Sequence, residues 1–546
     1  MLLIMSGSYV QQELGAEFGS IPPSFLPLAN KRLFKHQVSL GHDGHAIYLV
    51  LPEDFVFDKH DYEWLLRNKV TMIPVDSNLT LGQAIVTAWN LIGDKDDKGL
   101  QLLFGDTLFK KIPAGDDLVA ISHSDDNYQW SFFYETELRA VSREDNKNVI
   151  CGYFSFSKPN FFIRELVTSK FDFTAALKKY HDSYSLASIY VSDWLDFGHI
   201  NTYYKSKVQY TTQRAFNELC ITTKSVIKSS SNESKIEAES KWFETIPGEL
   251  KIYTPMLLEP FDHIRKSYKL EYLYNTTLNE LFVFSRLPNN ILTNILISCL
   301  DFIDLCKEYH SIDTDKNILQ DLFYEKTIER VSKYITDLNI DPNAKWNFNN
   351  NISVSINDIL YDTNKFIPSE LQYKTIMHGD LCFSNIIFNF RTGRIQVFDP
   401  RGLNHSGEIS IYGDFRYDIA KLSHSILGLY DWIIAGYYII NKKNKTHSIE
   451  FKINIDNKLF EIQSTFVSII KEKYSISEKS LYAMQIHLFL SMLPLHSDDK
   501  KGKMHYLLMH LDYMKFLRRL QYDYNSNGGD EFAFFQGWIF QTKIYA

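Results

Sequence analysis

The segment "IMHGDLCFSNIIFNFRTGRIQVFDP" (376–400) decides how the second half of the chain is read. His378, Gly379 and Asp380 open it, Asn385 follows five residues after Asp380, and Asp399 comes fourteen residues later. Between Asn385 and Asp399, apolar runs flank "FRTGR", which predicts a strand–turn–strand hairpin. A hairpin returns its ends to one place, so Asn385 and Asp399 would face one volume, with Asp380 just before them. A decorative surface loop would not need the apolar residues between these polar groups.

Phosphoryl transfer needs such groups. One carboxylate orients an attacking hydroxyl and takes its proton while the bond forms, because free alkoxide is scarce near neutral pH. An amide oxygen and a second carboxylate hold Mg²⁺ against the phosphates, where charge neutralisation and alignment supply most of the rate. "HGDLCFSN" followed by "FDPRG" resembles the HGDxxxxN…D motif of the aminoglycoside phosphotransferase and choline kinase family, distant relatives of protein kinases. The resemblance implies Asp380 as catalytic base, Asn385 and Asp399 as magnesium ligands, and His378 as a structural residue of the loop. Pro400-Arg401 stands where protein kinases carry Phe-Gly, so their activation switch is not implied.

Upstream, "SVIKS" places Lys228 at the end of a predicted strand, as a phosphate-gripping lysine requires. Glu239 lies eleven residues on, in the next predicted helix, where it could hold Lys228 in place; Glu237 is the competing position. "YKLEYLY" (268–274) reads as a hinge between lobes, with backbone groups of Glu271 and Tyr272 meeting adenine. "GDFRYDIAKL" (413–422) resembles the helix that follows the family's active site, with Asp418 in a structural role.

The first 200 residues alternate strands with helical patterns. "AIYLVLP" (46–52), "LQLLFGD" (100–106), "WSFFYETEL" (130–138) and "NVICGYFSF" (148–156) read as strands, and "TLGQAIVTAWNLIGD" (80–94) as a helix. Three segments in order resemble sugar-phosphate nucleotidyltransferases: "TLGQAIVTAW" (80–89), "LLFGDTLF" (102–109) and "WLDFGHINTYYKSK" (194–207). "FLPLANKRLFKHQV" (25–38) resembles the segment after that family's nucleotide loop. The resemblance implies Asp106 and Asp196 as metal ligands, Gly7 in the nucleotide loop, and backbone N–H groups offered by the helix beginning near Gly82. The chain departs from the family in "MSGSYVQQELGAEFGSIPPSFLPL": no arginine follows Gly7, and Pro23 occupies the place of the triphosphate-gripping lysine. Lys31 or Arg32 is the nearest substitute.

The expected fold is an α/β N-terminal domain, nucleotidyltransferase-like with a Rossmann-like mixed sheet, plus an α+β bilobal kinase-like C-terminal domain. The boundaries are 1–210 for the first domain, 211–272 for the kinase-like N-lobe and 273–546 for a helical C-lobe. "AFNELCITTKSVIKS" reads as two strands of the N-lobe, and beyond about 285 helical periodicity is interrupted only by the segment quoted first. The 546 residues carry a formal charge of −8 with acids and bases intermixed, which excludes a nucleic-acid-binding face. Five dispersed cysteines suggest reduced thiols and a cytoplasmic location. The start lacks the pattern of a signal peptide. The longest apolar run, "SILGLYDWIIAGYYII" (425–440), is too short to span a bilayer, contains Asp431 and reads as a buried helix, so no membrane insertion is expected.

The fusion suggests a bifunctional enzyme. It would phosphorylate a small hydroxylated molecule, a sugar in the first reading, with ATP and Mg²⁺, then join the product phosphate to a nucleotidyl group from a second NTP, giving an activated precursor for surface polysaccharide. One alternative is a choline or amino-alcohol kinase with a cytidylyltransferase. Another is a kinase whose N-terminal domain only binds a nucleotide sugar. Partners are then small-molecule substrates. Oligomeric state, acceptor and nucleotide base are not encoded in any short motif.

Overall fold

A computed structural model describes residues 1–41, 45–93, 99–124, 128, 132–133, 138–139, 148–208, 217–311, 318–348, 352–369, 373–404, 406–443 and 448–496. The chain divides into two compact units. One comprises Met1–Cys299, Phe383–Asp399 and Asp431–Tyr437; the other comprises Leu300–Cys382, Pro400–Tyr430 and Tyr438–Ala546.

The first unit is organised by a nine-stranded mixed sheet. Leu2–Met5 runs parallel to Ile47–Pro52 on one side and Leu100–Phe104 on the other, and Val70–Val75 extends the parallel part beyond Ile47–Pro52. These strands are nearly continuous apolar runs, as strands covered on both faces must be. Asn148–Phe156 adds antiparallel to Leu100–Phe104 and to Leu118–His123. Helix Leu81–Leu91 buries Ile85, Ala88 and Trp89 in a core with Leu3, Val50, Ile73, Leu102 and Phe154. Each such side chain removed from water contributes roughly 1.5–3 kcal/mol. That helix starts where Thr80 Oγ1 accepts from Gln83 N and the Gln83 side chain accepts from Thr80 N, so its first turn is capped reciprocally.

The same unit contains a four-stranded antiparallel sheet in the order Asn217–Ile221, Ser225–Ser230, Ser267–Glu271, Leu257–Asp262. Helix Glu233–Thr245 packs on it. The predicted hairpin is present: Ile386–Asn389 pairs antiparallel with Arg394–Val397. It is anchored by Val397 N donating to Tyr253 O at 2.7 Å and Ile395 N donating to Ser298 Oγ at 3.1 Å. The domain boundary expected near residue 210 falls within 209–216, outside the described residues.

In the second unit, helices Lys326–Leu338 and Phe415–Ile426 pack on Glu478–Ser491, and Thr375–Ile376 pairs with Tyr412–Gly413. Two expectations are corrected. The C-terminal part is not interrupted only at 376–400: Ile352–Val354, Trp346–Phe348, Ser448–Lys452 and Ile439–Lys443 form a further four-stranded sheet. The apolar run 425–440 is not one helix. Leu429 (φ +53°) and Gly436 (φ +83°) take left-handed conformations that a helix cannot pass through, leaving a short helix Tyr430–Ile434 before the strand at Ile439. One described helix, Asn289–Lys307, is long and apolar enough to cross a membrane. Its Cys299, Leu300, Phe302, Ile303 and Cys306 are each at most 1% exposed, as in a core helix.

Candidate active sites

In the first unit, Lys228 sits on strand Ser225–Ser230, opposite Tyr268. Both it and Glu239 are buried, and Lys228 Nζ donates to Glu239 Oε2 at 2.5 Å and to Asp399 Oδ1 at 2.9 Å. Tyr268 OH donates to the same Glu239 oxygen at 2.9 Å. Burial pulls the Lys228 ammonium toward its neutral form, but the Asp399 and Glu239 carboxylates outweigh it, so its pKa lies above the ordinary lysine value. Of the two candidate glutamates, Glu239 is the partner. Asn385 and Asp399 lie at the open end of the hairpin, where Phe398 N donates to Asn385 O at 3.1 Å. Asp399 adopts a left-handed φ of +58°. Its side chain is 30% exposed, against 5% for Lys228.

Asn385 and Asp399 supply hard oxygen donors of the kind Mg²⁺ takes. Among the described residues no group of three or more His, Cys, Asp or Glu is placed to hold a metal.

In the second unit, the loop after strand Thr375–Ile376 carries His378, fully buried, and Asp380. Asp418, from the first turn of helix Phe415–Ile426, accepts the His378 and Gly379 amides at 2.7 and 2.8 Å. Burial raises the Asp418 carboxyl to about 7 against the pull of those amides. Gly379 has φ +79°, and a Cβ there would lie 2.7 Å from Arg401 Cβ. The Asp380 side chain, 32% exposed, receives Lys421 Nζ at 2.8 Å.

At the C-terminal edge of the parallel strands, Leu100–Phe104 ends in Gly105-Asp106, and Asp196 pairs in register with Thr107. The two carboxylates are close neighbours: a Cβ on Gly198 would lie 2.6 Å from Asp106 Oδ2 and 3.4 Å from Asp196 Oδ1. Burial, followed by the charge of Asp196, raises the Asp106 carboxyl to about 7. Two acids with so little compensating charge fit a divalent cation. Thr202 Oγ1 donates to Asp196, and His199 Nδ1 lies 3.4 Å from it while its ring stacks on Tyr128 at 3.9 Å.

Several expected roles change. Arg32 cannot grip a triphosphate: its Nε donates to buried Asp61 at 3.0 Å and its Nη1 to Phe25 O and Phe284 O at 2.9 and 2.5 Å. Lys31 is exposed. Gly7 follows strand Leu2–Met5 at the C-terminal edge of the parallel strands, where a Cβ would meet Val75 at 2.6 Å. Gly82 serves packing, since a Cβ there would lie 2.1 Å from Phe171 O. Glu271 N and Tyr272 N donate to Met256 O and Lys224 O, so these two amides, expected to meet adenine, are already engaged. The segment that should carry phosphate-gripping cations instead carries Glu13 and Glu17, and Glu17 accepts from Tyr204 OH. Sequence reasoning also missed His199, Tyr417 and Lys421. The last two had a signal, lying one turn apart on a helix that already contains Asp418.

No protein-family model matches the chain, and no curated protein matches it. Parts of the chain are similar to solved structures of two kinds, sugar-phosphate-type nucleotidyltransferases and choline- or aminoglycoside-type kinases. The inositol-1-phosphate CTP transferase from T. maritima shares 13% identity, covering 37% of this chain and 90% of that one, with a TM-score of 0.29. Choline kinase LicA from Streptococcus pneumoniae shares 14%, covering 57% and 92%, with a TM-score of 0.31. The ethanolamine kinase of Plasmodium vivax shares 13%, covering 62% and 92%, with a TM-score of 0.30. At these values the similarity concerns the fold, and the chemistry rests on the side chains described above.

Proposed function

We propose that the chain is an ATP-dependent phosphotransferase acting on a small hydroxylated molecule, joined to a nucleotidyltransferase-type domain. The observation that carries this reading is the buried Lys228, bonded to Glu239 at 2.5 Å and Asp399 at 2.9 Å. A lysine fixed in this way presents a point charge to phosphates without wandering. In the reaction, the acceptor oxygen bonds to the γ-phosphorus of ATP and the bond from that phosphorus to the bridging oxygen breaks. The acceptor proton passes to Asp380 and ADP departs. Asn385 and Asp399 would hold Mg²⁺, which would supply charge neutralisation at the phosphates.

The phosphorylated product would pass to the N-terminal domain, where Asp106 and Asp196 are the metal-holding pair. Its phosphate oxygen would attack the α-phosphorus of an NTP and release pyrophosphate. We assign the product to nucleotide-activated sugars or related polyols for surface polysaccharide, with both steps in the cytoplasm. A second reading, an N-terminal domain that binds a nucleotide sugar without turning it over, is favoured by Glu13, Glu17 and Pro23 in the nucleotide loop and by the internally bonded Arg32. Losing two cations that stabilise transition-state charge would slow nucleotidyl transfer by about 10²–10³ for each.

The test is a matrix of ATP, Mg²⁺ and panels of sugars, sugar acids and amino alcohols, with CTP, GTP or UTP added in turn. Acceptor-dependent ADP release lost in Asp380→Asn is expected. Pyrophosphate release only after phosphorylation supports the bifunctional reading; ADP release without pyrophosphate supports the binding-domain reading. An Asp380→Asn protein as fast as its parent removes the kinase assignment.

A further inference from the structure

Beside Asp380, the second unit gathers more positive charge than its described acids neutralise. Lys326 and Arg330 lie one turn apart on helix Lys326–Leu338, on the same face. Tyr417 and Lys421 lie one turn apart on helix Phe415–Ile426. Arg401 is held at the HGD loop, its backbone N donating to His378 O at 2.8 Å. The groups share the buried Tyr417 phenol as a neighbour. Lys326 Nζ donates to its oxygen at 3.2 Å, and the Lys326 and Lys421 ammonium groups lie 5.6 and 5.9 Å from its ring.

Among the described residues these charges do not balance. Lys421 is taken by Asp380. Asp418 is occupied by two backbone amides. Arg330 Nη1 donates only to a neutral carbonyl, Ser491 O, at 3.0 Å, and nearby Glu329 is exposed. Arg401 Nη1 is buried with no hydrogen-bond acceptor among the described residues. No ion pair forms between Lys326, Arg330 or Arg401 and a carboxylate among the described residues. Holding half-buried charge without a counter-ion, and one buried guanidinium nitrogen without an acceptor, is costly unless something supplies the opposite sign. The strain is visible in the protonation equilibria: burial and the neighbouring Arg401, Arg330 and Lys421 draw Lys326 down to about 8. Lys326, Lys421 and Arg401 draw Tyr417 down to about 8 despite its burial.

We propose that the acceptor phosphorylated by this protein carries an anionic group, a carboxylate or a phosphate, which Lys326, Arg330 and Arg401 receive while its hydroxyl faces Asp380. The proposal rests on the phosphotransferase reading of Asp380 and narrows its substrate class. Arg401 offers a planar fork suited to either oxyanion. An amino alcohol would instead bring a like charge into the cluster.

The test uses the full chain with ATP and Mg²⁺ and matched acceptors: glycerol, D-glycerate and glycerol 3-phosphate; glucose, glucuronate and glucose 6-phosphate; choline and ethanolamine. ADP release confined to anionic members is expected, and the carboxylate and phosphate arms identify the group. Arg401→Gln should raise the acceptor KM at least tenfold with the ATP KM within twofold, and Arg401→Lys should recover part of the loss in a protein of parental melting temperature. Preferred turnover of a neutral or cationic acceptor overturns the proposal, as does a variant effect falling on ATP alone. If no acceptor turns over, inorganic phosphate and D-glycerate must stabilise the parent more than Arg401→Gln against heat; equal shifts also overturn it. The kinase reading fails separately, through Asp380→Asn consuming ATP at the parental rate.

Discussion

At the scale of single residues, burial decides which charges exist. Lys228 keeps its proton because two carboxylates reach it, whereas His487 has no such help. His487 is fully buried, and among the described residues its Nδ1 has no hydrogen-bond partner and its Nε2 meets only the Thr363 hydroxyl at 3.1 Å. Burial therefore lowers its pKa from 6.5 to about 3. The folded protein holds this ring neutral down to about pH 3, while the unfolded chain takes up a proton below about 6.5. The unfolded state then binds more protons across that window, so the contribution of His487 to stability is complete above pH 6.5 and falls as the pH falls. The slope from this one group is about 1.4 kcal/mol per pH unit. Melting temperatures measured from pH 7 to 4.5 should decline less steeply in His487→Gln than in the parent. Parallel declines would show that the ring charges without cost.

At the scale of elements, legibility in the sequence followed periodicity. Two of the four parallel strands, Ile47–Pro52 and Leu100–Phe104, were readable as apolar runs, and the hairpin as two such runs about "FRTGR". The pairing of Lys228 with Glu239 was legible only in part: the strand and the next helix were readable, but Glu237 stood as the alternative until the structure placed Glu239 on the lysine. Residues 425–440 were misread because a uniformly apolar run has no period to separate helix from strand, and the breaks at Leu429 and Gly436 are set by backbone conformation. The cationic cluster was invisible because its members come from 326–330, 401 and 417–421, each ordinary alone. Gly82 shows the same limit: a glycine early in a helix suggested ligand approach, but its neighbour is the Phe171 backbone. Gly82→Ala puts a methyl 2.1 Å from that carbonyl. Overpacking of this kind costs about 1–3 kcal/mol. Gly248→Ala, with nothing within 4 Å of the new Cβ, is the control and should stay within about 0.5 kcal/mol in denaturant titrations. Equal losses in both would remove the packing explanation for Gly82.

At the scale of the whole molecule, the sequence suggests two separable enzymes, but the first compact unit does not divide that way. The nine-stranded sheet with its flanking helices and helix Leu278–Phe284 belong to one unit and are tied together by polar groups, several of them buried. Arg32 donates to Phe284 O, Asn30 N donates to Glu280 Oε1 at 3.2 Å, and Lys207 pairs with Glu280. Arg286 N donates to Phe18 O at 2.7 Å. Tyr437 OH donates to Asp61 Oδ1 at 2.6 Å, completing the shell around an acid that also holds Arg32. Cutting the chain after Val208 would remove Glu280, Phe284, Arg286 and Tyr437 at once. Arg32 and Asp61 would lose partners, and each polar group left buried without one costs about 1–3 kcal/mol. Several such losses approach the whole stability of a domain, about 5–15 kcal/mol. A fragment of residues 1–208 is therefore expected to aggregate or melt well below the full chain, whereas a fragment of residues 1–299 keeps all these partners except Tyr437. Circular dichroism melts of the two fragments decide the matter: a cooperative transition for 1–208 at the temperature of the full chain would mean that these links do not support the fold.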